Sequence, residues 1–155
     1  MTTEPKRVLF VCLGNICRSP LAEAIFLHLI EQRGIADRFI VDSCGTGGWH
    51  AGNRADPRSI MVGAKNGITV DSIARKFDQS TDPDGFDLFL AMDAANKNDL
   101  IDLGVDPAKI RLMRSFDPST PNAPDVPDPY YGGDNGFDKV YEMLLSSCTG
   151  LLDSL

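Results

Sequence analysis

Hydrophobic and polar positions along the chain switch repeatedly between a strand period and a helix period. Residues 6–11 read as a buried central strand built on the short apolar run Val8-Leu9-Phe10-Val11, β-branched at its ends. From Ser19 the spacing becomes helical. Leu21, Ala22, Ile25, Phe26, Leu29 and Ile30 make one broad apolar face, Glu23, Glu31, Gln32 and Arg33 fall elsewhere, and Gly34 reads as a stop. Ser19 is the expected N-cap, with Pro20 at the first helical position. Residues 39–42 are the next expected strand, running into a Gly-rich loop. Asp56 and Pro57 open a second helix that ends near Asn66 and Gly67. Residues 67–77 read as a loop with a short extended piece, and 82–85 as a turn. A third strand is expected over 86–91, a helix over 94–103 stopped at Gly104, and a short fourth strand over 109–113. Residues 116–133 carry Pro118, Pro121, Pro124, Pro127 and Pro129, so they cannot form a regular element. A terminal helix follows from Phe137 to about Cys148. Alternating strands and helices imply one α/β domain over residues 1–155. Its core would be an open, four-stranded parallel sheet with helices on both faces, binding ligands off the carboxyl ends of its strands.

Composition narrows the function classes. The 155 residues are 43% hydrophobic and 24% charged, as expected of a globular chain with a sizeable core. A net charge of −7 argues against nucleic acid as a partner. No apolar run approaches the ~18 residues of a membrane span, and the first residues lack the apolar core of a signal peptide. The four cysteines, Cys12, Cys17, Cys44 and Cys148, do not have the density of a secreted disulfide scaffold, so a cytoplasmic location is expected. A monomer is expected as well.

The chemistry concentrates between the first strand and the first helix, in Cys12-Leu13-Gly14-Asn15-Ile16-Cys17-Arg18-Ser19. Backbone N–H groups of a tight loop and a helix start make an anion cradle. Arg18 supplies a planar fork that matches two phosphate oxygens. Cys12 would lie under the anion as a nucleophile, its thiolate favoured by the same donors. Asn15 is a residue type that tolerates the positive φ of a curled loop. Cys12 and Cys17 alone are too few ligands for zinc, and neither metal nor cofactor is expected.

The segment VCLGNICRSP, together with Asp128-Pro129-Tyr130-Tyr131 far downstream, resembles the low-molecular-weight protein tyrosine phosphatase family. The likeness continues through Asp42-Ser43-Cys44-Gly45-Thr46, Trp49-His50, Ala55-Asp56-Pro57-Arg58 and Ala91-Met92-Asp93. It implies a flavodoxin-like topology and hydrolysis of phosphotyrosine or aryl phosphates through a cysteinyl-phosphate. Partners would be a tyrosine-phosphorylated protein or small aryl phosphate, with inorganic phosphate as product. Catalytic residues would be Cys12, Arg18 and Asp128, the last as general acid. Leu13, Gly14, Asn15, Ile16, Cys17, Arg18, Ser19 and Ser43 would form and support the phosphate loop. Ser19 would donate to the Cys12 sulfur, and Ser43 would pin Asn15. Leu13, Trp49, Tyr130 and Tyr131 would line the substrate rim, with His50 beside them. The resemblance also implies a reversible Cys12–Cys17 disulfide under oxidation and phosphorylation of the two tyrosines. At Ser72 the family often has a histidine, so a water bridge or a slightly looser loop is expected there. An arsenate reductase on the same fold would need a relay pair of cysteines, and residues 60–110 contain none. A rival of another class is a phosphotyrosine-binding or redox-sensing module that keeps the cradle without turnover; retention of both Cys12 and Asp128 argues against it, since binding alone needs neither.

Overall fold

The computed structural model describes residues 4–120, 122, 125–131 and 135–155. Four parallel strands, β1 (Lys6–Cys12), β2 (Phe39–Gly45), β3 (Leu88–Ala91) and β4 (Ile110–Leu112), lie in the order β2-β1-β3-β4. The helices are α1 (Arg18–Gln32), α2 (Pro57–Lys65), the single turn α3 (Asp82–Gly85), α4 (Ala94–Asp102) and α5 (Gly136–Ser154).

Strand periodicity divides the core in two. Val8 and Phe10 of β1 pack with Leu21, Ile25 and Phe26 of α1 and with Val140 and Leu144 of α5. Leu9 and Val11 turn to the other face, against Phe89 of β3, Leu100 of α4 and Ile110 of β4. All four β1 residues are fully buried, which is why the run is apolar throughout rather than alternating. The chain leaves β1 for β2 on one side and then crosses back to β3 on the other, so the switch-point crevice lies at the carboxyl ends of β1 and β3. Cys12 is the last residue of β1.

The observed elements depart from expectation in instructive places. Ser19 is not an N-cap. The cap position is Cys17, which makes no side-chain cap bond, and Ser19 is the second helical residue with its hydroxyl turned to Cys12. β2 runs three residues beyond the expected Asp42, because Ser43, Cys44 and Gly45 pair with Phe10, Val11 and Cys12. The turn at 82–85 closes into one helical turn. α5 continues past Cys148 because Leu151 and Leu152 extend its buried stripe. Asp56 caps α2 as expected, its side chain accepting from the Arg58 backbone N–H, with Pro57 at the first position. Within the proline-rich segment, Pro121 and Pro124 lie outside the described residues. Its ends form short 3₁₀ turns, Met113–Phe116 and Pro129–Tyr131.

Candidate active site

The loop after β1 is held by its carbonyl groups. Cys12 O accepts from Thr46 N at 2.9 Å, Leu13 O from Gly47 N at 2.9 Å and Ile16 O from Asp56 N at 2.8 Å. Cys17 O accepts from Ser59 Oγ at 3.1 Å. With those carbonyls engaged by surrounding segments, the loop's donors remain: the N–H groups of Leu13, Gly14, Ile16 and Cys17 make no hydrogen bond among the described residues. Such a set of unpaired donors beside a helix start suits an anion. Gly45 makes the close approach possible, since a Cβ there would stand 2.7 Å from Leu13 O.

Asn15 organises the underside. Its φ of 57° turns the loop, and it is the one non-glycine residue with positive φ among those described. Its N–H donates to Cys12 Sγ at 3.2 Å. Its Nδ2 donates to Ser19 Oγ at 2.8 Å and Ser43 Oγ at 3.0 Å, and its Oδ1 accepts from Arg75 N at 3.0 Å. Ser19 Oγ lies 3.0 Å from Cys12 Sγ. Because that oxygen accepts from Asn15, its own proton can go to the sulfur. The expected slack near Ser72 is therefore not seen at Asn15, whose side chain is supported by three protein groups. Behind Ser43 stands Glu23, which accepts from Ser43 Oγ at 2.6 Å. Burial pushes the Glu23 carboxyl up to about 7, helped by Asp42 and Asp71 and opposed by hydrogen bonding to Ser43 and the proximity of the Ser72 hydroxyl. Ser72 Oγ itself is buried and makes no hydrogen bond of good geometry.

Arg18 opens α1 and is 2% exposed. Its Nη1 pairs with Asp93 Oδ2 at 2.6 Å and donates to Val126 O at 3.0 Å, while Nη2 is 3.7 Å from Asp128 Oδ2. Burial disfavours its charge, but Cys12, Asp93 and Asp128 around it outweigh that and raise its pKa. The guanidinium plane is thereby fixed from behind. Cys17 and Cys44 are buried free thiols, and burial pushes both well above the ordinary thiol range.

Above Cys12 and Arg18 opens a cleft of about 350 Å³, walled by Leu13, Ile16, Trp49, His50, Asp128 and Tyr130. The Trp49 ring lies against Gly47, occupying the space a Cβ would fill. Asp128 enters from the opposite side; its Oδ1 accepts from Tyr130 N at 3.0 Å and its side chain is 37% exposed. Arg58 braces this segment, stacking 5.4 Å from the Tyr130 ring and 4.7 Å from the Phe137 ring and donating to Tyr130 O. Tyr131 ends the same turn; its side chain lies outside the described part of the structure.

The structure thus brings together the expected Cys12, Arg18 and Asp128, the whole loop, Ser43, and the rim residues Leu13, Trp49 and Tyr130. It adds four supports that sequence reasoning gave no role: Asp93, Glu23, Arg75 and Arg58. Asp93 had a local signal, standing just past β3 where it also caps α4 through Asn96 N. Arg75 and Glu23 reach the loop only through folding, and nothing in their neighbourhoods marks them.

The comparisons agree with this geometry. The family model described as low molecular weight phosphotyrosine protein phosphatase matches residues 7–155. A low molecular weight protein-tyrosine-phosphatase of Streptomyces coelicolor is 49% identical over 94% of this chain and 91% of its own length. A low molecular weight phosphotyrosine protein phosphatase of Schizosaccharomyces pombe is 43% identical over 99% of both. A crystal structure of a protein tyrosine phosphatase from Entamoeba histolytica superposes with a TM-score of 0.90 at 41% identity, covering 96% of each chain. With the cradle, its arginine and the downstream aspartate all in one cleft, the chain belongs to the low molecular weight phosphotyrosine protein phosphatase family.

Proposed function

We propose that this protein hydrolyses phosphotyrosine and other aryl phosphate monoesters through a phosphocysteine at Cys12. The observation that carries this is Cys12 Sγ at the floor of a donor-lined loop, hydrogen-bonded to Asn15 N, with Arg18 and Asp128 facing the same cleft. The thiolate attacks phosphorus as the bond to the aryl oxygen breaks, and protonated Asp128 gives its proton to the leaving oxygen. Water then attacks phosphorus, Asp128 takes the water's proton, and the thiolate departs with Ser19 Oγ–H as its hydrogen-bond donor. Arg18 and the loop N–H groups hold the three non-bridging oxygens through both steps. Free phosphate is the product, and no metal enters the scheme.

The apolar and aromatic walls, Leu13, Ile16, Trp49 and Tyr130, favour an aryl over an alkyl ester. The four free thiols support a reducing, cytoplasmic setting, in which Cys17 is available to trap an oxidised Cys12 as a disulfide. Among the described residues no helix is long and apolar enough to cross a membrane. The test is turnover of p-nitrophenyl phosphate in EDTA and reductant. Parent protein is expected to turn over across mildly acidic pH, and Cys12→Ser to be inactive while still binding phosphate. Equal activity in Cys12→Ser would overturn the scheme.

A further inference from the structure

Beyond Trp49, on the side away from Cys12, lies a second cavity of about 280 Å³. Its walls include Leu13 and Trp49, which it shares with the catalytic cleft, so the two hollows adjoin at an apolar saddle formed by these side chains. Leu13 and Trp49 are 42% and 72% exposed, a large apolar surface for a site of this size. Leu103 continues the apolar wall, while Asp99 and Asp102 of α4 bring two carboxylates to it. Neither forms an ion pair among the described residues, and no lysine or arginine lines the cavity. Lys76 lays its stem against Gly48, outside the lining. Thr46 also lines the cavity, and its buried Oγ1 has no hydrogen-bond partner. An apolar trough ending in two unpaired carboxylates fits a long side chain that carries a cation at its tip.

We propose that this cavity is a subsite for a lysine or arginine flanking the phosphorylated residue of a peptide substrate. The proposal rests on the phosphatase reading above and names its substrate class. With the phosphate over Cys12 and the aryl ring against Leu13 and Trp49, the peptide crosses the saddle. The aliphatic stem of the basic residue then covers Leu13, Leu103 and the outer face of Trp49, and its charge meets Asp99 and Asp102. A glutamate at the same place would face two like charges, so acidic flanks are rejected as basic ones are accepted.

The experiment compares phosphotyrosine peptides in which a single lysine, arginine, alanine or glutamate is moved through the residues flanking the phosphotyrosine. Parent protein is set beside Asp99→Asn/Asp102→Asn, with p-nitrophenyl phosphate as the control for chemistry. Two partly exposed charge pairs predict a preference in kcat/KM of about 3–10-fold for lysine or arginine over glutamate at one position. The preference should shrink as salt is raised. The double variant should lose it while turning over p-nitrophenyl phosphate like the parent. No positional preference in a parent that turns over p-nitrophenyl phosphate overturns the subsite and leaves the phosphatase reading standing. The same result follows if the double variant keeps the preference. A parent that does not turn over p-nitrophenyl phosphate overturns the phosphatase reading itself.

Discussion

Behind the Cys12 loop, Asn15 is 1% exposed and each polar group of its side chain is hydrogen-bonded, to Ser19, Ser43 and Arg75 N. In front of the loop, the Asp128 side chain is 37% exposed, and among the described residues its carboxylate accepts one hydrogen bond, from Tyr130 N, with Arg18 a longer 3.7 Å away. The contrast matches the two tasks. A cradle must hold its donors where charge develops, so it is built into the sheet and closed by buried bonds. In the proposed reaction, Asp128 as the acid must approach a leaving group that differs between substrates and then admit water, which suits its place on a short turn. The braces on that turn, Arg58 stacking and Val126 N to Met92 O, come from outside the cleft.

Breaking the cradle should have the largest effect. Arg18→Lys keeps the charge but removes the fork that Asp93 orients, and kcat is expected to fall about 10³-fold, with little change in thermal stability. A loss of only a few-fold would mean that Arg18 does not hold the transferring phosphoryl group. Breaking the front should cost less and depend on the substrate. Asp128→Asn is expected to lower kcat about 10²-fold for phenyl phosphate and distinctly less for p-nitrophenyl phosphate, whose leaving group needs less proton assistance. Equal losses for the two substrates would remove Asp128 from the acid role.

The smallest effect on rate, several-fold at most, is expected from Glu23→Gln, which sharpens the comparison through pH. The Glu23 carboxyl sits at about 7 in the folded protein against an ordinary 4.5, so the native state holds its proton more tightly. That contribution to stability is fully present below about pH 4.5 and is lost as pH rises through 7, amounting to at most about 3 kcal/mol. Relative to the parent, Glu23→Gln should be similar below pH 4.5 and more stable above pH 7 in denaturant melts. A parent–variant difference that is flat with pH would show that Glu23 does not titrate behind Ser43.

The sequence made the cradle legible because it is contiguous. A strand end, the nucleophile, a residue tolerant of positive φ, the arginine and a helix start follow one another from Cys12 to Ser19. The four strands were also visible, since Val8, Leu9, Phe10 and Val11 must be apolar on both faces of a covered sheet. Long-range supports were not. The Asp93 carboxylate that fixes Arg18 comes from 75 residues away, and the Arg75 N–H that satisfies Asn15 from 60. Asp93 shows only its cap position just past β3, and Arg75 does not differ in pattern from an ordinary loop polar residue. Ser19 misled as a cap for a related reason: serine beside proline at a helix start reads as one, its contact with Cys12 was legible only through the family resemblance, and its contact with Asn15 only in the tertiary structure. Ser43, Cys44 and Gly45 read as the start of a glycine loop because pairing of β2 with β1, rather than local propensity, keeps them extended.

The claim that holds the account together is that phosphate passes through Cys12. The direct measurement is acid-quenched intact mass during turnover of p-nitrophenyl phosphate, followed by mapping of the modified peptide. The account predicts a transient gain of one phosphoryl group on the parent, located at Cys12 and absent in Cys12→Ser. Undiminished turnover by Cys12→Ser, or a phosphoryl group located on any other residue of the parent, would contradict it.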